Sequence, residues 1–228
     1  MLEFSIVATP IGNLGDITYR AVETLREADF VLCEDTRKTK VLLDKYEIEK
    51  PLKAYHQQTN DFKIQKILDE MKKAKKVALV TDAGTPGISD PGNILIEKAL
   101  EFFGNEIKII PIPGASAVGA LISVAGINTT KFTFLGFPPN KKGREKFFRE
   151  VLNYDHPVLY YESPYRLMKN LELIEELQKD SEVSKKVVLG RELTKMFEEI
   201  KRGEVADIKK YYQENSDKIK GEFVVLIY

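Results

Sequence analysis

The run Leu79-Val80-Thr81-Asp82-Ala83-Gly84-Thr85-Pro86-Gly87-Ile88-Ser89-Asp90-Pro91-Gly92 gathers three glycines, two prolines and two carboxylates at the end of an apolar, β-prone segment. Its chemistry is that of a binding loop. Glycine lets a ligand approach the backbone because no Cβ stands in the way, and ligands of open α/β sheets sit at the carboxyl ends of strands. Ordinary strand-to-helix loops need only about 2–6 residues, so a plain turn does not account for this one. A second such loop, Thr9-Pro10-Ile11-Gly12-Asn13-Leu14-Gly15-Asp16-Ile17-Thr18, follows the first apolar run, so two loops could face one cleft. A third, Pro111-Ile112-Pro113-Gly114-Ala115-Ser116-Ala117, leads into a small-residue helix expected over 117–125. Small side chains there permit close packing against a ligand or the sheet.

Other chemistries lack their residues. No Gly-x-Gly-x-x-Gly and no Gly-Lys pair occurs, which excludes the dinucleotide fingerprint and the phosphate-cradling P-loop. Gly114-Ala115-Ser116-Ala117-Val118 lacks the closing glycine of a nucleophile elbow, and only His156 lies downstream of it. Cys33 is the sole cysteine, so no internal disulfide or cysteine zinc cluster can form. With only His56 and His156 besides, no metal site is expected.

The elements that must position these loops alternate in the first half. Hydrophobic spacing predicts strands at 3–8, 29–34, 52–55, 76–81 and 107–111, with helices at 19–28, 36–46, 61–73 and 92–104. That order makes a mostly parallel sheet. Thr18, Thr36 and Asn60 are the expected N-caps. After Pro111 the pattern changes to strands near 131–137, 157–161, 186–191 and 222–228, with helices near 143–153 and 164–178. A domain boundary is expected there, giving an α/β domain at 1–111 and a second α/β domain with a mixed sheet at 112–228. The 228 residues, 43% hydrophobic and 31% charged with 35 basic and 35 acidic side chains, include no apolar span of the ~18 residues that a membrane helix needs. A cytoplasmic enzyme is the expectation.

Several motifs together resemble the tetrapyrrole methylase superfamily of S-adenosylmethionine (SAM) enzymes, and within it the ribosomal RNA small-subunit methyltransferase I family. They are Ala8-Thr9-Pro10-Ile11-Gly12-Asn13-Leu14 with Asp16-Ile17-Thr18, Cys33-Glu34-Asp35-Thr36-Arg37, the 81–92 loop, and Pro113-Gly114-Ala115-Ser116-Ala117. Tyr161-Glu162-Ser163-Pro164, Gly190-Arg191-Glu192-Leu193-Thr194-Lys195 and Gly221-Glu222-Phe223 extend the likeness over the whole chain. It departs at Gly136-Phe137-Pro138-Pro139, where the family usually has Gly-Phe-Leu-Pro, and at Tyr165, usually histidine. Many members also continue into an extra C-terminal segment, whereas this chain ends at Tyr228.

The resemblance implies a two-domain fold with SAM in the cleft between domains. It implies methylation of the ribose 2′-hydroxyl of a cytidine in the decoding region of 16S rRNA, probed best within the assembled 30S subunit, and a homodimer. Carried over residue by residue, Pro10, Gly84, Thr85, Gly87 and Ile88 line the cofactor, with Asp82 and Asp90 near its polar parts. Ser116 and Ala117 present backbone and hydroxyl groups, and Tyr161, Glu162 and Phe223 close the cleft from the second domain. Glu34, Asp35, Glu162, Glu192 and Lys195 are the candidate bases. Glu192 and Lys195 are favoured because charge clusters just after a predicted strand. Zero net charge still leaves local basic clusters for RNA phosphates: Arg37 with Lys38 and Lys40, and Lys141, Lys142 and Arg144 with Lys146 and Arg149, while Arg166 and Arg191 could grip phosphates nearer the chemistry. The alternative is methylation of a small molecule such as a tetrapyrrole, which would want an apolar macrocycle trough in place of the 141–149 patch.

Overall fold

Short apolar runs and amphipathic stretches alternate through the first unit of the computed structural model, which describes residues 1–56, 59–90, 92–181 and 184–228. Pro91 of the long loop lies outside the described residues. The order is β1 (Leu2–Val7), α1 (Tyr19–Glu27), β2 (Phe30–Cys33), α2 (Thr36–Lys45), β3 (Leu52–Ala54), α3 (Asp61–Met71), β4 (Lys76–Leu79), α4 (Gly92–Phe103) and β5 (Ile107–Ile112). The five strands pair only in parallel, in the order β3-β2-β4-β1-β5.

Successive strand residues point to opposite faces, and the two cores divide accordingly. Leu2 and Phe4, Phe30 and Leu32, and Val77 and Leu79 pack with Ile64, Leu68, Met71, Leu95 and Ala99 of α3 and α4. Val7, Val31, Cys33, Ala78 and Val80 pack with Ala21, Leu25 and Leu43 of α1 and α2. Right-handed crossovers require this division, because the chain runs toward one sheet edge through α1 and α2 and back through α3 and α4. The chain therefore leaves β1 and β2 toward one face but leaves β4, which lies between them, toward the other. Loops part at such a point and open a crevice at the carboxyl ends of the strands.

Thr18 and Asn60 cap α1 and α3, accepting from the Ala21 and Lys63 amides. Thr36 does not cap α2. Asp35 does, through the Arg37 amide, and Thr36 is the first helical residue; a carboxylate one position earlier supplies the stronger acceptor at the helix start.

The chain divides into two compact units, Met1–Ser116 and Ala117–Tyr228. The division falls beyond the expected 111/112 boundary because the Pro113–Ser116 segment packs on first-unit loops: a Cβ on Gly114 would come within 3.0 Å of Ala8 Cβ, and the Ala115 carbonyl accepts from Thr85 Oγ1.

The second unit comprises α5 (Ala117–Val124), β6 (Thr133–Phe134), α6 (Arg144–Asn153), β7 (Val158–Glu162), α7 (Pro164–Ser181), β8 (Lys186–Arg191), β9 (Glu199–Glu204), α8 (Val205–Glu214) and β10 (Phe223–Ile227). Its sheet runs β6-β7-β10-β8-β9. β6 and β7 are parallel and the remaining pairs antiparallel, so the sheet is mixed. Val158, Tyr160, Val187, Leu189, Phe223 and Val225 form one core with α6, α7 and α8.

β9 and α8 are additional to the elements expected from sequence. β9 reads Glu-Ile-Lys-Arg-Gly-Glu, an edge strand whose charges discourage pairing with another chain and hide its strand character. α8 did carry a signal, since its buried Val205, Ile208 and Tyr212 recur at helical spacing.

Gly190 of β8 faces α5: an added Cβ would lie 3.0 Å from both Leu121 Cδ1 and Leu193 Cδ2. Gly190→Ala is expected to cost about 1–3 kcal/mol by overpacking, measurable as a lower denaturant midpoint with an unchanged slope. Among the described residues, no helix is long and apolar enough to cross a membrane.

Candidate active site

In the first unit the carboxyl ends of β1, β2 and β4 are tied into one constellation by short-range hydrogen bonds. Thr9 and Gly84 exchange backbone bonds, at 2.8 Å from Thr9 N to Gly84 O and 3.0 Å from Gly84 N to Thr9 O. The Thr9 hydroxyl donates to the Thr81 carbonyl at 3.2 Å. Gly84 has φ +84°, and its missing Cβ would meet Ile11 Cγ2 at 3.3 Å. A left-handed backbone in so close a contact selects glycine. Thr81 Oγ1 donates to Glu34 Oε2 at 2.9 Å. Asp82 accepts the Asp35 amide at 3.0 Å and the Lys38 ammonium at 2.6 Å.

Thr9, Pro10, Leu14, Lys38, Thr39, Leu42, Thr81 and Asp82 line a pocket at this junction. Pro10 and Asp82 thus line one pocket, Gly84 is bonded to Thr9 beside it, Thr85 turns to the Ala115 carbonyl, and Asp90 turns inward. Its carboxylate accepts the Gly87 amide at 2.8 Å and the Gly92 amide at 2.7 Å, tying those two residues together while lining a small cavity with Glu34, Tyr55 and Thr81. Gly87, at φ +89° with open space where a Cβ would stand, and half-exposed Ile88 leave that turn accessible.

Arg37 is highly exposed, but Asp35 grips it twice, at 3.0 and 2.7 Å. The Arg37 guanidinium and amide hold the Asp35 carboxyl far below the usual carboxylate range. Thr9, Glu34 and Lys38 were absent from the expected cofactor contacts. Glu34 and Lys38 had signals, as a candidate base and a member of a basic cluster; Thr9 had only its place in the β1 loop.

In the second unit, pairing register places Glu162 and Arg191 on either side of Phe223 across β7, β10 and β8. Phe223 is 2% exposed and belongs to the hydrophobic core, its ring 5.9 Å from that of Tyr212. This side chain therefore packs in the core. Tyr161 packs against Phe134 and Phe137.

Arg191 is 5% exposed and donates to the carbonyls of Phe197 at 3.1 Å and Lys220 at 3.2 Å. A guanidinium so enclosed holds the following loop in place. Arg166 is likewise engaged, with the Pro138 carbonyl at 2.8 Å, Asn140 Oδ1 at 2.6 Å and Glu162 at 3.6 Å. Lys141, Lys142 and Arg144 lie at the start of α6 on an exposed segment.

Arg191 anchors a knot of charge. Glu192 Oε1 accepts from Lys195 Nζ at 2.9 Å and from the Glu222 amide at 2.8 Å, and Lys195 also meets Glu222 Oε2 at 2.9 Å. Glu192 and Thr194 adopt φ +49° and +67°, conformations that cost free energy outside glycine and cluster at functional sites. Partial burial works to lower the Lys195 pKa, but Glu192 and Glu222 outweigh it and hold the ammonium above the ordinary lysine range. Burial likewise works to raise the Glu192 pKa, and Lys195 with the Glu222 amide prevails, keeping it below the usual value. These contacts therefore favour the charged form of Lys195.

Glu162 is 2% exposed. Burial pushes its carboxyl above the usual value, against the pull of Asn170, the Ser163 amide and the Arg166 and Arg144 charges. Its Oε1 accepts the Ser163 amide at 2.7 Å and its Oε2 accepts from Asn170 Nδ2. Asn170 Oδ1 has no hydrogen-bond partner among the described residues, so a protonated acid could donate to it after an amide flip. A folded-state pKa above the unfolded ~4.3 stabilises the fold fully below that value, and the contribution is lost as pH rises through the folded pKa. Glu162→Gln is expected to remove this pH dependence and to stabilise the fold relative to wild type at pH 8; denaturant titrations across pH 4–8 whose midpoints vary with pH identically in the two proteins would disprove it.

Among the described residues, no group of histidine, cysteine or carboxylate side chains could hold a metal ion. Open positive-φ backbone, an apolar pocket wall and fixed carboxylates suit a small polar ligand at the strand ends, in an α/β protein whose second unit carries a rigid ionic knot. The chain belongs to the family of tetrapyrrole (corrin/porphyrin) methylases, matching it over residues 3–209, and within it to the ribosomal RNA small subunit methyltransferase I family. It is 41% identical over 222 residues to "Ribosomal RNA small subunit methyltransferase I" of Thermotoga maritima, covering 97% of this chain and 96% of that protein. The protein of the same name from Leptospira biflexa is 42% identical, covering 97% and 89%. In fold the chain is similar to diphthine synthase, with a TM-score of 0.73 at 17% identity covering 99% of this chain and 89% of that one. The cobalamin biosynthetic enzyme cobalt precorrin-4 methyltransferase gives a TM-score of 0.69 at 18% identity, covering 98% and 94%.

Proposed function

We propose that this protein transfers a methyl group from SAM to the ribose 2′-oxygen of a cytidine in the decoding region of 16S rRNA. The observation that carries the reading is the full-length likeness to small-subunit rRNA methyltransferases. The substrate is the RNA within the assembled 30S subunit, and the protein acts in the cytoplasm as a homodimer. When bound, SAM supplies an electrophilic methyl group on a sulfonium that leaves as a neutral thioether.

The first-unit loops fit such a ligand. Gly84 is locked to Thr9 next to Pro10, Gly87 and Ile88 lie exposed on the same loop, and Asp82, fixed by the Asp35 amide and Lys38, supplies a carboxylate. In the second unit, the Lys195 ammonium orients the RNA and stabilises the ribose oxygen as its hydroxyl proton leaves, which makes that oxygen the nucleophile. Glu192 is a positioning residue that keeps Lys195 charged and in place, and the hydroxyl proton passes to solvent. Alignment of oxygen and methyl group is worth up to about 7–11 kcal/mol in favourable cases, so holding the reactants carries most of the acceleration.

The test is methyl transfer from labelled SAM to 30S subunits lacking the native mark, followed by mapping of the label. Label in a 2′-O-methylcytidine of the decoding region is expected. Label at another rRNA atom would overturn the assigned position, and SAM binding without any transfer to RNA would overturn the substrate class.

A further inference from the structure

A rigid aromatic surface stands beside the basic start of α6, on a segment to which the methyl-transfer chemistry assigns nothing. Phe137 is 53% exposed. One part of its ring is supported by Tyr161, at 5.3 Å between centroids, and Tyr161 is supported in turn by Phe134 at 4.9 Å.

The backbone carrying Phe137 is pinned on both sides. The Gly136 carbonyl accepts the Tyr161 amide at 2.8 Å. Beyond Phe137, Arg166 of α7 grips the Pro138 carbonyl and Asn140 Oδ1, and Pro138 and Pro139 restrict the chain further. The ring is thus presented with little freedom left to lose on binding. Tyr165, 91% exposed, occupies the residue just before Arg166. Lys141, Lys142 and Arg144 follow Phe137 by four to seven residues, and the charge of Arg144 reaches far enough to act on Glu162.

A pre-ordered aromatic face next to a run of cations is complementary to an unstacked nucleotide. The ring meets the base, which presents a π-face whatever its identity, and the cations meet phosphates. We propose that Phe137 is a stacking platform for an unpaired base of the RNA substrate, with Lys141 and Lys142 holding its neighbouring phosphates. This rests on the rRNA reading above and deepens it: the protein engages a single-stranded or splayed-out segment, not the face of a duplex.

The experiment compares wild type with Phe137→Ala, Phe137→Leu and Phe137→Trp. The readouts are binding of a fluorescent single-stranded RNA oligonucleotide, binding of a duplex of the same length, SAM affinity, and KM and kcat on 30S subunits. Because Phe137 is exposed, all three variants are expected to fold, with unchanged melting and SAM affinity. Ala and Leu are expected to weaken single-strand binding about tenfold or more, the scale of one lost base stack, while Trp binds at least as tightly as wild type. On 30S subunits KM rises and kcat is retained.

Full binding by the Leu variant would show that apolar contact alone suffices and would overturn the platform. So would equal binding by all four proteins, preference for the duplex, or no single-strand binding by wild type. These binding readouts stand apart from catalysis. Wild-type transfer to 30S with an unmoved KM in Phe137→Ala removes the platform and leaves the rRNA reading intact. Failure of wild type to methylate 30S, with the Ala, Leu and Trp pattern present on RNA, removes the reading of the reaction but not the platform.

Discussion

Replacing Lys195 with alanine is expected to lower the methyl-transfer rate on 30S subunits by about 10²–10³-fold, the scale of removing one preorganised group that stabilises charge on a reacting oxygen, here as the 2′-hydroxyl proton leaves. The expectation follows from how the lysine is held. Glu192 and Glu222 fix the ammonium from two sides at 2.9 Å each, and the loop is tightened by backbone bonds from Lys195 to Glu192 and from Glu198 to Lys195. Because those carboxylates raise the Lys195 pKa, the cation persists throughout the neutral range, and its titration contributes no limb to the rate profile between pH 6 and 9.

Loss of a partly exposed ion pair costs stability only about 0–1 kcal/mol, so folding is expected to survive. Single-turnover transfer together with SAM titration separates the outcomes. A rate within threefold of wild type would remove Lys195 from the chemistry, and a loss confined to SAM affinity would move it to cofactor binding.

Phe223→Ala is expected to destabilise the second unit by about 3–5 kcal/mol, the usual cost of truncating a fully buried aromatic. Phe223 lies on the central strand of its sheet, flanked by β7 and β8, with Tyr212 edge-on to its ring. No neighbouring element can collapse into the space without breaking the register that aligns Glu162 and Arg191. Phe223→Leu keeps most of the volume, so its cost is expected to stay near 1–2 kcal/mol with SAM affinity unchanged. Denaturant unfolding and SAM titration of both variants check this. A leucine variant of normal stability but much weaker SAM affinity would return Phe223 to the cofactor site.

Local sequence and distant packing contributed differently to these assignments. The strand and helix pattern of the first unit was legible because each element keeps one period throughout, as in α3, where Ile64, Ile67, Leu68 and Met71 are the buried face. β9 was not, because an edge strand with Lys201 and Arg202 among its residues has no apolar alternation to read. The 81–92 loop stood out in the sequence by its length, its glycines and prolines and its two carboxylates. The inward turn of Asp90 did not, since carboxylates that clip their own loop and carboxylates that face a ligand share one composition.

By itself the sequence determined the alternating architecture, the strand-end loops, the absence of the residues for nucleophile-elbow, P-loop and cysteine-metal chemistry, and the family. Each of these depends on residue types at short spacing. Tertiary structure alone decided which charges are available. Arg191 and Arg166 read as phosphate grips in the linear chain, but carbonyls more than twenty residues away in sequence, those of Lys220 and Pro138, occupy their guanidinium groups. Lys195 read as a base until Glu222, brought beside it by β10, fixed it as a cation. Electrostatic roles depend on distances of a few ångströms between groups far apart along the chain, and only folding sets those distances.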